Sequence, residues 1–246
     1  MVQLLGAGHP NAGDSGIAAG AALHVYHQYV SQYVPQSIEH LYWGPEWNNE
    51  EIGATLKLCR LNYQYTDDPS QAAAARLADG KIIGWYQGRM ESGPRALGNR
   101  SILVSANKAE NKDILNARVK FREGFRPFCP SLLVEMKDYY LNQGKEAPFM
   151  IISFDVTEDK RDKVPAVVHK DGTLRPQTVD KDVNPRFWNL INYFGEATGE
   201  YLVLNTSFNI MGEPIVLDPM HAIRCFFGGG MDALIIGNFI VDKHHA

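Results

Sequence analysis

The fold is most clearly indicated by the stretch Lys81-Ile-Ile-Gly-Trp-Tyr-Gln-Gly-Arg-Met-Glu-Ser-Gly-Pro-Arg-Ala-Leu-Gly-Asn-Arg-Ser101. Residues 81–87 are a short apolar run between Asp79-Gly80 and Gly88, and this pattern predicts a β-strand. The residues that follow form a loop in which glycine and proline separate the arginines. A strand that leads into such a loop is a common way to bind phosphate in α/β proteins. We therefore predict an α/β fold with an anion site after this strand.

The residues from 89 to 128 form a basic stretch in a mildly acidic chain. The 246-residue chain has a net charge of −4, whereas this stretch carries +5. A local excess of cations predicts a bound anionic ligand rather than a general affinity for polyanions. The cations best placed to bind phosphate or carboxylate oxygens are Arg95, Arg100, Lys120, Arg122 and Arg126. A solvated surface patch is the alternative, but the glycines and proline between the arginines favour a site.

Composition and cysteine usage limit the class of protein. The length allows one large domain, or one domain with an appendage. No apolar run reaches the length of a membrane span. Cys59, Cys129 and Cys225 are widely spaced and form no C-x-x-C pair, which predicts reduced thiols in a cytoplasmic protein and argues against a cysteine zinc site.

The N-terminal region differs from the rest of the chain. A glycine-rich loop at 6–16 precedes an alanine-rich helix predicted at 17–30, with Asp14 or Ser15 as its N-cap. Asp14 has a second interpretation, as an acid of a metal or phosphate site whose other ligands come from elsewhere. The helix has little polar surface on any side, so we expect it to need packing partners that this chain does not supply.

The remainder alternates between predicted strands and helices. Strands are predicted at 81–87, 102–105, 131–135, 150–156, 201–204 and 233–241, with a hairpin turn at Asp171-Gly172 between two short strands. Helices are predicted from about 49 to 62 and at 68–78, 107–119, 136–140, 184–198 and 219–227. The aromatic stripe of the helix at 184–198 is interpreted as core.

Polar residues follow the strand at 201–204. They read Asn205-Thr-Ser-Phe-Asn209, at the end of a strand where α/β proteins usually place function. Ser207 could donate a hydrogen bond to an anion, or it could satisfy the backbone of its own turn, and residue type alone leaves both open. His169 could be catalytic, but a structural role in a loop is favoured.

Four motifs, in their order and spacing, resemble a known family. They are Gly93-Pro-Arg-Ala-Leu-Gly-Asn-Arg-Ser101, Lys120-x-Arg-Glu-x-x-Arg-Pro-Phe128, Asp171-Gly-Thr-x-Arg175 and Asn205-Thr-Ser-Phe-Asn209. From Gly13 onward the chain resembles the C-terminal half of NodU/CmcH-type O-carbamoyltransferases. The resemblance implies two modules. An actin-like, ASKHA-type, metal-dependent domain transfers the carbamoyl group, and a YrdC-like α/β domain forms carbamoyl-adenylate from carbamoyl phosphate and ATP.

The resemblance also implies a domain division and a set of site residues. Residues 1–40 would be the helical end of the actin-like domain, and 41–246 the YrdC-like domain, a twisted mixed sheet with flanking helices. The residues implied to form the catalytic carbamoyl phosphate pocket are Arg95, Lys120, Arg126, Arg175 and Ser207. The residues implied to bind substrate or nucleotide are Arg100, Arg122, Asn205, Thr206 and Asn209, of which the first two could instead hold the loop.

Cofactors and partners follow from the same resemblance. Mg²⁺ would arrive with ATP, and Fe²⁺ or another divalent metal would lie in the actin-like domain, where Asp14 is similar to the last metal-binding acid. The paired histidines of that site lie upstream in the family, and His24 and His27 do not match them. We therefore expect a fragment or split subunit that binds carbamoyl phosphate and ATP. Transfer to a hydroxyl acceptor, a natural product or a sugar, would need the actin-like domain, which could be a separate chain.

Two other functions are considered. One is a threonylcarbamoyl-adenylate synthase-like role in tRNA modification, against which the Pro94-Arg-Ala-Leu-Gly-Asn-Arg100 motif and Asp14 argue. The other is a non-catalytic module that binds nucleotide or RNA. Net charge and a single compact basic stretch disfavour extended RNA contact, which needs a basic stripe. No membrane or nucleic-acid partner is expected.

Overall fold

A computed structural model describes residues 10–11, 13–30 and 37–243 of the chain. Its strands are β1 Gln64–Tyr65, β2 Ile83–Tyr86, β3 Arg100–Ser105, β4 Cys129–Leu133, β5 Phe154–Asp155, β6 Thr173–Leu174, β7 Gln177–Val179, β8 Leu202–Ser207, β9 Ala233–Ile236 and β10 Phe239–Asp242. Eight of them form one sheet in the order β1-β10-β9-β2-β3-β8-β4-β7, and β5 pairs with β6 separately. The β2–β9 and β4–β7 pairs are parallel and the others antiparallel, so the predicted mixed sheet is confirmed.

The described residues also form seven α-helices. They are α1 Asp14–Tyr29, α2 Asn49–Leu58, α3 Pro69–Ala78, α4 Glu110–Leu115, α5 Lys137–Tyr140, α6 Pro185–Thr198 and α7 Pro219–Gly228. A π-helix, Asn116–Lys120, continues α4, and short 3₁₀ turns lie at Val134–Met136 and Glu158–Lys160. Three helices begin in the same way, because Asp68, Asn184 and Asp218 each cap a helix whose first residue is proline.

The core lies on both faces of the sheet. Alternation along the strands sends Trp85 and Leu103 toward α3 and α6, where the aromatic stripe of α6 is buried as predicted. The opposite face carries Ile102 and Leu204, which pack with apolar residues of α2 and α7. Two helical layers around one sheet therefore bury the apolar residues of β2, β3, β8 and β9.

Several local predictions are wrong. Of the strand predicted at 150–156, only Phe154–Asp155 forms a strand, with an isolated bridge from Val156 to Leu141, and Met150 has a φ of +56°, which is incompatible with extended backbone. The turn at Asp171-Gly172 forms, but its outgoing residues pair with β5 and no strand precedes the turn. The strand predicted at 233–241 is a hairpin of β9 and β10, because Gly237 adopts a φ of +56°.

Element boundaries also differ near the predicted site. Asn205 to Ser207 belong to β8 rather than following it, and the helix predicted at 107–119 begins at Glu110 and ends as a π-helix. Gly13 is the N-cap of α1 and no side chain caps this helix, so Asp14 is its first residue and neither Asp14 nor Ser15 is the cap. None of the residues of α1 is buried. The described helices include none long and apolar enough to cross a membrane.

Candidate active site

Four arginines line one cavity at the edge of the sheet, which we call the arginine cavity. Its volume is about 180 Å³, and its cations are Arg95, Arg122, Arg126 and Arg175. The end of β8, Asn205 to Ser207, forms part of the wall. The structure thus brings together cations that are 80 residues apart at the extremes, Arg95 and Arg175. Because the described residues that line this cavity include no carboxylate or imidazole, its electrostatic character is that of an anion site.

The loop that carries Arg95 is held by a buried carboxylate. Glu91 Oε1 accepts hydrogen bonds from the backbone N–H groups of Leu97 at 2.6 Å, Asn99 at 2.8 Å and Arg100 at 3.2 Å. The backbone is turned at Gly98, where φ is +101° and a Cβ would overlap the ring of Phe187. Burial, and then the charge of Arg175, lower the pKa of Arg95, so the two guanidinium groups repel each other.

Lys120 lies at the end of the π-helix, in an adjoining cavity of about 300 Å³ that shares Arg122, Arg126 and Ser207 with the arginine cavity. Its Nζ donates to Ser207 O at 2.6 Å and to Asn209 Oδ1 at 2.8 Å, with Asn209 O at 3.0 Å and Ser207 Oγ at 3.3 Å. Burial, and then the charge of Arg122, lower the pKa of Lys120 to about 7. The four oxygens oppose this shift, because they favour the ammonium form.

The remaining arginines have separate supports. The Nε of Arg122 donates to Asn116 Oδ1 at 3.0 Å, and its guanidinium lies 4.3 Å from the centre of the Phe128 ring. Burial and then Arg126 lower the pKa of Arg122. Arg175 donates from Nε and Nη2 to Cys129 Sγ, at 3.3 and 3.0 Å. The cavity therefore contains two adjacent pairs of like charges.

Arg100 lies elsewhere. It is fully buried and lines neither cavity. Its Nη1 donates to the backbone carbonyls of Gln87 at 2.7 Å and Asn99 at 2.9 Å, and its guanidinium stacks 3.7 Å from the centre of the Tyr86 ring. Of the two roles considered for Arg100, this placement favours holding the loop.

Three of the other predicted site residues line at least one of the two cavities, and Asp14 lines neither. Thr206 and Ser207 line the arginine cavity, and Asn209 lines the adjoining one and accepts from Ser207 Oγ at 2.7 Å. Asp14 is exposed on α1 and lines neither cavity. The described part of the chain contains no group of three or more His, Cys, Asp or Glu side chains that could hold a metal. A metal site that includes Asp14 therefore remains a prediction that needs ligands from outside these residues.

Some residues of the site were missed by sequence reasoning. Cys129 was considered only as a reduced thiol, yet it contacts Arg175 in the arginine cavity. Asn116 orients Arg122, and no motif includes it. Asn116 is four residues before Lys120, and residues with this spacing lie on the same face of a helix. This spacing could have indicated that Asn116 lies near the site.

Comparisons with known proteins identify the family of the chain. Residues 74–243 match the model of the family described as carbamoyltransferase C-terminus. The chain is 43% identical to nodulation protein NolO of Bradyrhizobium diazoefficiens, over 96% of this chain and 44% of that protein. It is 40% identical to nodulation protein NolNO of Sinorhizobium fredii, over 96% of this chain and 36% of that protein. The chain therefore spans less than half the length of these relatives.

A solved structure supports the fold. The phosphate- and nucleotide-bound crystal structure of full-length HypF matches 74% of this chain and 23% of its own, with a TM-score of 0.52 and 20% identity. At that identity the likeness shows the fold alone. The mixed sheet with helices on both faces is the fold that the resemblance implies. The chain as a whole belongs to the carbamoyltransferase C-terminal family, with NodU-type nodulation proteins among its relatives.

Proposed function

We propose that this chain is the adenylate-forming module of an O-carbamoyltransferase. It binds carbamoyl phosphate and ATP with Mg²⁺ and forms carbamoyl-adenylate, with consumption of one water molecule and release of phosphate and pyrophosphate. The observation that carries the proposal is the arginine cavity, whose described lining contains four arginines and no carboxylate. Family membership supplies the carbamoyl group as the substrate class.

The charges explain why the cavity would take a phosphate. Burial and then Arg175 lower the pKa of Arg95, and burial and then Arg126 lower the pKa of Arg122, so the like charges of each pair lie close enough to repel each other. A phosphate dianion between them removes this repulsion and accepts from several N–H groups at once. Cations positioned in this way stabilise charge that develops on phosphoryl oxygens, which is the main catalytic contribution in phosphoryl transfer.

Lys120 and Ser207 would form the boundary between two ligands. Ser207 lines both cavities, and Lys120 lies in the adjoining one. We assign carbamoyl phosphate to the arginine cavity and the nucleotide phosphates to the adjoining cavity. Lys120 then lies beside the phosphate groups that react.

The later step would need a second domain. Transfer of the carbamoyl group to a hydroxyl acceptor, a natural product or sugar, is assigned to an actin-like domain with Fe²⁺ or another divalent metal. The relatives are more than twice as long as the matched region, which leaves room in them for such a domain. In this chain Asp14 would contribute to that metal only when the other domain is present.

Calorimetric titration of the chain tests the proposal. We expect binding of freshly prepared carbamoyl phosphate, then of ATP–Mg²⁺, and loss of at least about ten-fold in carbamoyl phosphate affinity in Arg95→Ala and Lys120→Ala. Lys108→Ala is the matched control, because Lys108 belongs to the same basic stretch but is exposed and lines neither cavity.

Two results would overturn the proposal. One is a folded wild-type protein that binds neither ligand. The other is equal weakening by Arg95→Ala and Lys108→Ala, which would indicate general attraction of anions. Salt provides a further check, because an RNA-binding module should lose affinity steeply with salt while a small-anion pocket should respond less.

A further inference from the structure

One side chain in the wall of the arginine cavity differs from the others. The cavity is lined mainly by donors, the four arginines and the hydroxyls of Thr206 and Ser207. Among the described residues that line it, Asn205 alone carries an amide side chain, and it is 1% exposed. The donors of this cavity can bind an anion through its acceptor oxygens alone. Anion binding therefore does not explain the buried amide oxygen of Asn205.

The orientation of this amide is fixed by its neighbours. Asn205 Nδ2 donates to Ser131 Oγ at 2.8 Å, to Ala96 O at 3.2 Å and to Gln177 Oε1 at 3.4 Å. Ser131 Oγ donates in turn to Gln177 Oε1 at 2.7 Å, and Gln177 Nε2 donates to Leu97 O at 2.7 Å. Backbone carbonyls terminate the network at both ends and can only accept. Rotating the Asn205 amide by 180° would set its oxygen against these acceptors, so Nδ2 must face the network.

The other end of the amide is unsatisfied. Asn205 Oδ1 is buried and accepts no hydrogen bond from any described residue. Buried polar atoms are almost always paired, and an exception in a site often marks a partner that the protein alone does not supply. The missing partner must be a hydrogen-bond donor.

We propose that Asn205 Oδ1 accepts a hydrogen bond from the NH₂ group of carbamoyl phosphate and so selects a carbamoyl group over an acyl group. This inference rests on the proposed function and gives Asn205, which the resemblance implies only to bind substrate or nucleotide, a role in specificity. Carbamoyl phosphate has a phosphate group that the arginines can bind and N–H groups that can donate to Oδ1. Acetyl phosphate has the same phosphate and nearly the same shape, but a methyl group replaces the NH₂ and leaves Oδ1 unpaired. Discrimination against a ligand that lacks one hydrogen-bonding group is strong when the group on the protein is buried.

Competitive calorimetry with carbamoyl phosphate and acetyl phosphate tests this inference. We expect the wild type to prefer carbamoyl phosphate by about ten-fold or more. In Asn205→Leu, which keeps the approximate volume, the ratio should fall to about one, while affinity for acetyl phosphate stays within about three-fold of wild type. In Ser131→Ala, which frees Nδ2 but keeps Oδ1, an intermediate ratio is expected. Circular dichroism and urea unfolding establish that each variant is folded.

The outcomes separate the inference from the proposed function. A wild type that binds both phosphates equally, or an Asn205→Leu protein that keeps the full preference, overturns the role of Asn205 and leaves the phosphate site intact. A wild type that binds neither overturns the proposed function, and the inference with it. If Asn205→Leu does not fold, Ser131→Ala decides, because an unchanged ratio in that variant contradicts an orienting network.

Discussion

At the scale of single residues, Lys120 is the group whose charge state the structure sets most clearly. Burial and Arg122 lower its pKa to about 7, so in the free protein it gains a proton below that pH and loses it above. Sulfate keeps its charge throughout this range and is therefore a suitable probe. We expect sulfate affinity to fall by about ten-fold between pH 6 and pH 8, as the fraction of charged Lys120 falls. Calorimetry measures this, and Lys120→Arg should remove the dependence because arginine stays charged.

The same shift affects stability. The unfolded chain keeps the ordinary lysine pKa of 10.5, so between about pH 7 and that value it binds a proton that folded Lys120 does not. The free energy of unfolding should therefore rise as pH increases through this window, with the contribution of Lys120 least favourable below about pH 7. Urea unfolding of the wild type and Lys120→Met at pH 7 and pH 9 checks this. A difference between the two proteins that does not change with pH would show that the four oxygens hold Lys120 charged.

Arg100 is predicted to matter for stability rather than for ligand binding. Its guanidinium satisfies the carbonyls of Gln87 and Asn99 in the interior, so Arg100→Met leaves these acceptors unpaired. We expect the free energy of unfolding to fall by about 2–4 kcal/mol, measured by urea denaturation, with a smaller loss in Arg100→Lys. Phosphate affinity of the folded variant should change little. A large loss of affinity without a loss of stability would contradict this assignment.

At the scale of elements, the loop between β2 and β3 depends on Glu91. Its Oε1 gathers three backbone N–H groups on either side of Gly98, and this geometry places Arg95 at the cavity. In Glu91→Ala we expect about 2–3 kcal/mol lower stability, faster hydrogen exchange at the amides of Leu97 and Asn99, and weaker phosphate binding. Glu91→Gln keeps an acceptor oxygen, so its stability, its exchange rates and its phosphate affinity should lie between those of the wild type and Glu91→Ala. Unchanged exchange at both amides in Glu91→Ala would show that other contacts hold the loop.

The elements also show which features of the fold the sequence could reveal. Helices α3, α6 and α7 were predictable because an Asx cap, a following proline and an apolar face all agree. The first half of the strand predicted at 150–156 was wrong and only Phe154–Asp155 forms a strand, since an apolar run carries no information about the left-handed backbone at Met150. The final strand was divided in the structure, because one glycine, Gly237, makes a turn inside a continuous apolar run.

At the scale of the whole molecule, the candidate site is a consequence of strand order. Antiparallel pairing sets Ser101 of β3 opposite Ser207 of β8, and Cys129 of β4 opposite Asn205. The end of β8 therefore lies between the starts of β3 and β4, and the loops before these two strands carry Arg95, Arg122 and Arg126. Sequence alone could name these cations from local motifs. It could not predict that Arg100 would be buried, because that depends on which carbonyls the assembled sheet leaves unpaired.

The division of the chain near residue 40 can be tested by shortening it. All buried apolar residues among those described lie between Leu41 and Val241, and α1 contributes none. A chain that begins at residue 37 should therefore unfold within about 0.5 kcal/mol of the full chain in urea and bind carbamoyl phosphate within about two-fold. Across this division Asn11 Nδ2 donates to Ser92 Oγ at 3.3 Å, in the loop that carries Arg95.

Asn11→Ala in the full chain is the matched control for that contact, because it removes the hydrogen bond and leaves α1 in place. If the shortened chain and Asn11→Ala both bind less tightly by the same factor, the effect belongs to the loop, and the boundary near residue 40 stands. If only the shortened chain loses stability, by about 2 kcal/mol or more, residues before 37 belong to the same folding unit. In that case the division of the chain into two domains would be wrong, since a helix with no buried residue in the described structure would nonetheless be required for the stability of the sheet.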